Sequence, residues 1–335
     1  MPLIVLAPME GVVDYQLRDL LTSLGGIDSC VTEFIRVTDT RLPPRVFTRL
    51  CPELLNLAPN QIARTPSGTP VAVQLLGGNP ELLAFSGARA ASMGAAAIDI
   101  NFGCPAKTVN RHDGGACLLQ TPERIYNIVK AMRAAVPETT PVSAKIRLGF
   151  NDRSRYLEIA QAAADAGANR LTVHARSKVD GYKPPAYWDC VGHINAALAI
   201  PVVVNGDIWS VADYLRARAE SGCEDVMLGR GLLSCPDLAA QIKAHVNHLT
   251  YQPLTWPQVL QLLFGHYQAG KSLFPKKYLG DRLKQWLAHL KRHYPGAQVF
   301  FNRIKTLREE AQLDAAFFSE IPALRAQLSA GETIR

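Results

Sequence analysis

Eight short apolar runs, alternating with longer helix-patterned stretches, constrain the fold of this chain more than any other feature. The runs occupy 3–7, 30–32, 71–75, 97–101, 142–146, 170–174, 201–204 and 225–228. Helical periodicity falls between them, at 14–24, 81–93, 122–136, 155–166 and 210–221. Continuous apolar strands joined through helices imply a parallel sheet buried on both faces. Eight such units have the size of a (β/α)8 barrel. A doubly wound sheet would carry a glycine fingerprint after its first strand. Here that position reads Ala7-Pro8-Met9-Glu10-Gly11. The barrel is therefore the expected fold. Thr121 before Pro122 predicts a capped helix start, and Gly167 and Gly222 predict left-handed helix ends.

Beyond 243 the strand signal stops, and 257–267, 280–293 and 298–310 read as amphipathic helices. The spacing predicts a barrel domain over 1–243 and a small helical domain over 244–335. Charge separates the two. Between Lys271 and Arg308 there are ten Lys or Arg and one acid, Asp281, giving +9 against a chain total of +7. Such segregated basicity points to a polyanionic partner. Disorder is excluded, because 48% of the 335 residues are hydrophobic and only 19% charged. No apolar run is long enough to span a bilayer, and the N-terminus lacks a basic leader region, so a cytoplasmic location is expected. The seven cysteines show no CxxC or Cys/His ligand spacing, so neither a disulfide framework nor a metal site is expected.

Barrel enzymes carry their chemistry on the loops after the C-terminal strand ends. Those ends here present Gln74, Asp99, Asn101, Lys145, Arg147, His174 and Arg176, followed by Asn205-Gly206-Asp207 and Gly229-Arg230-Gly231. Any one of them could be a solvated strand cap; together they aim polar groups at one rim. The last two turns offer free N–H groups, small residues and a guanidinium, which suits a phosphate monoester. Lys145 and Arg147, two apart on one strand, face the same way. Neighbouring cations need an anion between or above them, such as a reduced flavin's pyrimidine edge or a nucleic-acid phosphate. Gln74 presents the mixed donor and acceptor pair such an edge requires. Cys104 lies on the loop Asn101-Phe102-Gly103-Cys104-Pro105, so its thiol can enter the mouth. A thiol of ordinary pKa is protonated at neutral pH, which favours a general acid. Cys30, Cys117, Cys190, Cys223 and Cys235 read as small buried hydrophobes, and Cys51 is left open.

Ala7-Pro8-Met9-Glu10-Gly11, Thr32-Glu33-Phe34, Val73-Gln74-Leu75, Asp99-Ile100-Asn101 with Gly103-Cys104-Pro105, Lys145-Ile146-Arg147, His174-Ala175-Arg176, Asn205-Gly206-Asp207 and Gly229-Arg230-Gly231 occur in this order. The series closely resembles the tRNA-dihydrouridine synthases over nearly the whole chain. Arg36, the run 64–69, Lys107-Thr108-Val109-Asn110 and Arg282-Leu283-Lys284-Gln285-Trp286 look most like the bacterial C subfamily, which acts on uridine 16. The resemblance implies FMN-dependent reduction of a uridine C5=C6 bond, with NADPH as reductant and tRNA as partner. Pro8, Met9, Glu10, Gln74, Lys145 and His174 would hold the flavin, and Asn205, Gly206, Asp207, Gly229 and Arg230 its phosphate region. Cys104 would protonate C5. Arg36, Asn101 and Arg147 would handle the uridine and nearby tRNA, while Arg282, Lys284, His289 and Lys305 would contact tRNA from the helical domain. The chain is expected to act as a monomer. Two other readings compete: a flavin barrel acting on a free pyrimidine, and a non-catalytic RNA-binding barrel. A phosphosugar isomerase is disfavoured, since the rim carries cations and amides where acid/base carboxylates would be needed.

Overall fold

A computed structural model describes residues 1–321. Its strands are β1 (Ile4–Leu6), β2 (Ser29–Val31), β3 (Ile35–Arg36), β4 (Val71–Leu76), β5 (Ala97–Asn101), β6 (Val142–Arg147), β7 (Arg170–His174), β8 (Val202–Asn205) and β9 (Asp225–Leu228). All neighbours pair in parallel, β1 with β9 through Ile4↔Val226 and β2 with β4 through Cys30↔Val71. The sheet therefore closes into an eight-stave (β/α)8 barrel, as the alternating pattern predicts. β3 extends the mouth end of β4 by two residue pairs and was not legible in the sequence.

The helices of the barrel are α1 (Tyr15–Ser23), α2 (Pro44–Leu50), α3 (Pro80–Ser92), α4 (Lys107–Arg111), α5 (Pro122–Ala135), α6 (Tyr156–Asp165), α7 (Trp188–Ala197), α8 (Val211–Ser221), α9 (Arg230–Ser234) and α10 (Leu238–Val246). Sequence periodicity locates five of these within a residue or two and misses α2, α4, α7, α9 and α10. Asp14 caps α1, Asn79 caps α3 and Ser210 caps α8, each accepting a backbone N–H of the first turn. Thr121 precedes α5 but its side chain makes no cap bond; Pro122 alone defines that start. Gly222 ends α8 at φ 63, as the pattern predicts. Cys117 and Cys190 are half-buried, in contrast to the buried Cys30, Cys51, Cys223 and Cys235.

Strand parity positions the site. Val5, Ala7, Val31, Ala72, Val203 and Met227 form an apolar cluster of their own inside the barrel. Alternation then aims Gln74 and Asn205, each two residues further along its strand, at the same interior one layer nearer the mouth.

Four more helices follow: α11 (Trp256–Leu273), α12 (Lys276–Leu290), α13 (Pro295–Ile304) and α14 (Glu310–Glu320). The stretch read as one helix over 298–310 is thus two, broken at 305–309 where no Gly or Pro marks the turn. The domain boundary drawn at 243/244 falls within α10, and residues 322–335 of the expected helical domain lie outside the described residues. Trp286 of α12 donates its indole N–H to the Leu233 carbonyl, 3.1 Å away, Arg282 pairs with Asp14, and Gln285 donates to the Gly11 carbonyl. One hydrophobic cluster runs from Ile4 through Phe264 and Trp286 to Phe317, so these helices share a core with the barrel. No helix among the described residues is long and apolar enough to cross a membrane.

Candidate active site at the barrel mouth

A cavity of about 520 Å3 opens at the C-terminal ends of the strands. Pro8, Met9 and Glu10 reach it from the loop after β1, Gln74 from β4, Asn101 and Cys104 from β5 and its loop, Lys145 and Arg147 from β6, and His174 from β7. Asn205, Gly206 and Asp207 follow β8, Gly229 and Arg230 follow β9, and His289 descends from α12. Arg36 lines an adjoining cavity of about 330 Å3 that shares Glu10, Phe34 and Ala106 with the first. Arg282, Lys284 and Lys305 line neither.

The floor carries a row of hydrogen-bonded polar side chains. Gln74 donates to Asp99 Oδ2 at 2.6 Å, and Ser143 donates to Asp99 Oδ1 at 2.6 Å. Asn101 donates to Gln74 Oε1 and accepts the backbone N–H groups of Gly103 and Cys104, all at 2.9 Å. Burial pushes the Asp99 carboxyl up to about 6. Across the floor, Lys145 donates to Asn205 Oδ1 at 3.0 Å, and Asn205 donates onward to the Met227 carbonyl. Burial and then the neighbouring Arg147 pull the Lys145 ammonium down to about 8. Arg147 itself is tied to the carbonyls of Gly103, Ser177 and Gly181, which fixes two loops against each other. His174, buried among Lys145, Arg147, Arg176 and Arg230, is held well below the usual imidazole range and stays neutral.

In the two turns read as suited to a phosphate, Gly206 takes a left-handed conformation and Gly229, at φ -114, does not. Gly206 sits at φ +119, and a side chain there would meet the His174 ring at 2.9 Å. Asp207 is clasped by Arg176 and, at 3.3 Å, by Arg230. Above them, Arg230 lies over the rings of both Tyr182 and Trp209, at 4.9 and 5.0 Å, and Arg292 also covers Trp209, at 3.8 Å. Tyr182 and Trp209 line the cavity but carry no sequence signal beyond being aromatic residues on loops after β7 and β8.

Cys104 is half-buried at the cavity wall. Burial is the main influence on its thiol and pushes it up; the Ala106 N–H acts in the opposite sense and Glu10 in the same one. The thiol therefore holds its proton at neutral pH. The turn after it is stapled from outside, where Asp113, at φ 57, forms a two-pronged pair with Arg124 at 2.6 Å.

Of the four helical-domain residues expected to meet RNA, the structure gives two an internal partner. Arg282 pairs with Asp14 beneath the Phe274 ring, and Lys284 donates to the Leu307 carbonyl at 2.7 Å. Lys305 is exposed and has no side-chain partner among the described residues. His289 faces the cavity, where burial and Arg230 keep it below its ordinary pKa.

Fold and site together define a (β/α)8 barrel with a cationic, thiol-bearing mouth beneath a helical cover. The chain belongs to the dihydrouridine synthase family: the family described as "Dihydrouridine synthase (Dus)" matches residues 5–322. It is 49% identical over 325 residues to the tRNA-dihydrouridine(16) synthase of Pseudomonas putida, covering 97% of this chain and 98% of that one. Proteins of the same name from Shewanella oneidensis and Neisseria meningitidis are 47% and 44% identical. They cover 92% and 91% of this chain, and 95% and 91% of their own lengths. A crystal structure of a 2-naphthoyl-CoA reductase complex is similar in fold alone, with a TM-score of 0.55 at 10% identity over 73% of this chain and 50% of that one.

Proposed function

We propose that this protein reduces the C5=C6 bond of uridine 16 in tRNA to 5,6-dihydrouridine, with FMN as cofactor and NADPH as reductant. The observation that carries the reading is that the Cys104 thiol and the Lys145 ammonium line one cavity, in a chain whose relatives bear that activity in their names.

The cavity fits FMN by its donor set. Ala7, Pro8, Met9 and Leu228 give an apolar wall for a flat ring, and Gln74 and Lys145 stand at one edge. Gly206, Gly229 and Arg230 offer backbone N–H groups and a guanidinium for a phosphate. Lys145 and Arg147 have no carboxylate partner among the described residues, which an anionic occupant would supply. When bound, FMN supplies the hydride for C6 and is reduced again by NADPH.

This chain's own groups do the rest. Lys145 holds positive charge where negative charge develops. Neutral His174 adds none and can act as donor or acceptor. Cys104 gives its proton to C5, so the two added hydrogens arrive from different sides of the chemistry. A stacked base cannot reach this cavity, so the uridine must be extruded at a cost of about a few kcal/mol. The helical domain meets that cost through phosphate contacts and shape recognition of folded RNA. The domain limits of 1–243 and 244–335, a monomeric state and a cytoplasmic location belong to the same proposal.

Incubating unmodified tRNA with the purified protein and NADPH, then mapping dihydrouridine, tests the reading. Modification confined to position 16 is expected. Equal turnover of free uracil, or a protein that takes up no FMN, would overturn it.

A further inference from the structure

We infer that Asp99 is a positioning residue: it sets the donor–acceptor sense of the hydrogen-bonded chain that links the Gln74 amide to the loop carrying Cys104. The inference rests on the roles proposed above for Gln74 and Cys104.

The argument is one of hydrogen-bond polarity. Asp99 has no donor when ionised, and Gln74 lies directly across from it in the β4–β5 register. Gln74 must therefore turn its NH2 toward Asp99, which it does at 2.6 Å. Its carbonyl oxygen is then the only atom left for Asn101, so Asn101 must present its own NH2 there, at 2.9 Å. That in turn leaves the Asn101 oxygen to accept from Gly103 N and Cys104 N, both at 2.9 Å. The donor-only N–H groups of Gly103 and Cys104 fix the Asn101 amide from one end, and acceptor-only Asp99 fixes the Gln74 amide from the other, so both ends demand one sense. Ser143, opposite Asp99 on β6, occupies the remaining carboxylate oxygen at 2.6 Å and keeps it from serving another donor. Gln74 and Asp99 are at most 2% exposed and Asn101 8%, so water cannot easily substitute for a lost partner.

The consequence is that the cofactor-facing amide and the thiol loop are oriented by a residue that touches neither cofactor nor substrate. A reversal made at both ends separates this from simple burial of a carboxylate. In Asn101→Asp, Gln74 lies between two carboxylates and cannot satisfy both. Adding Asp99→Asn lets Gln74 turn over, accepting from position 99 and donating to position 101, while the acceptor for Gly103 N and Cys104 N is kept throughout and the net charge is restored.

The test needs no tRNA: iodoacetamide alkylation of Cys104, read by peptide mass spectrometry, and FMN titration by fluorescence. Asn101→Asp should change the Cys104 alkylation rate by at least about threefold, as a loosened loop exposes the thiol. The double variant should return it to within about twofold of the parent. Its FMN affinity should stay altered, because the Gln74 amide is now reversed. Unchanged alkylation in Asn101→Asp, or defects that merely add in the double variant, would overturn the assignment. If Asn101→Asp fails to fold, recovery of a folded, FMN-binding protein on adding Asp99→Asn supports it, and no recovery overturns it. Because alkylation and FMN binding are read without substrate, the proposed reaction can fail while this inference stands, and the reverse.

Discussion

At the scale of single residues, the site keeps protons on some groups and off others by burial. Cys104 is raised and stays a thiol; His174 is lowered and stays neutral; Lys145 is lowered to about 8 and still carries charge at neutral pH. Cys104→Ala should retain FMN and tRNA binding while dihydrouridine formation drops by about 10²–10⁴, the usual worth of a general acid; single-turnover rates against tRNA affinity check this. Lys145 gives a signed pH prediction. An anionic ligand favours the charged ammonium, so binding above about pH 8 must take up a proton. FMN affinity should hold steady below that pH and weaken above it, by at most about tenfold per unit. Lys145→Met should bind more weakly and lose the slope, as fluorescence titration across about pH 6.5–9.5 would show.

At the scale of elements, strands were more legible than anything attached to them. Every apolar run lies within a residue or so of an observed stave, because a strand buried on both faces writes itself as uninterrupted apolar sequence. The two-residue β3 and the five-residue α4 and α9 are too short to show a period. The break between α13 and α14 escaped notice because Lys305-Thr306-Leu307-Arg308 contains no turn former; Lys284, reaching in to the Leu307 carbonyl, holds it from outside. The rim residues could be picked out by their strand-end positions. Their partners could not: that Gln74 faces Asp99, or that Arg230 lies over both Tyr182 and Trp209, depends on register and loop paths. Gly206 marks where the loop after β8 tolerates no side chain. Gly206→Ala forces both the backbone, at φ +119, and the His174 ring. It should cost about 1–3 kcal/mol of stability and displace His174, lowering FMN affinity; thermal unfolding with and without FMN measures both.

Considered as a whole, the molecule divides its basic charge between holding itself together and facing outward. Arg282 and Lys271 are committed to Asp14 and to Glu310 with Asp314, and Arg303 to Glu320. Among the described residues, Lys277, Lys291, Arg292, Lys305 and Arg308 have no carboxylate partner. If these five meet phosphates, the logarithm of tRNA affinity should fall with the logarithm of salt at a slope of about 3.5–4.5, well short of what ten cations would give. Lys305→Ala should reduce that slope by about one without changing FMN binding. Arg282→Ala should act differently. It strips Asp14 of its partner and loosens α12 from the barrel, so stability falls by about 1–2 kcal/mol and the salt slope barely moves. Filter binding across a salt series beside chemical denaturation distinguishes the two.

Closure of the barrel also has a consequence during synthesis. On the ribosome, β1 finds one of its flanks only when Asp225–Leu228 emerges, since Ile4 pairs with Val226. At about 5–20 residues per second that interval lasts on the order of ten to forty seconds. Throughout it the nascent chain carries an open, hydrophobic ribbon edge. A newborn molecule stalled short of that last stave should therefore be a strong client for holdase chaperones, and one released just beyond it should not.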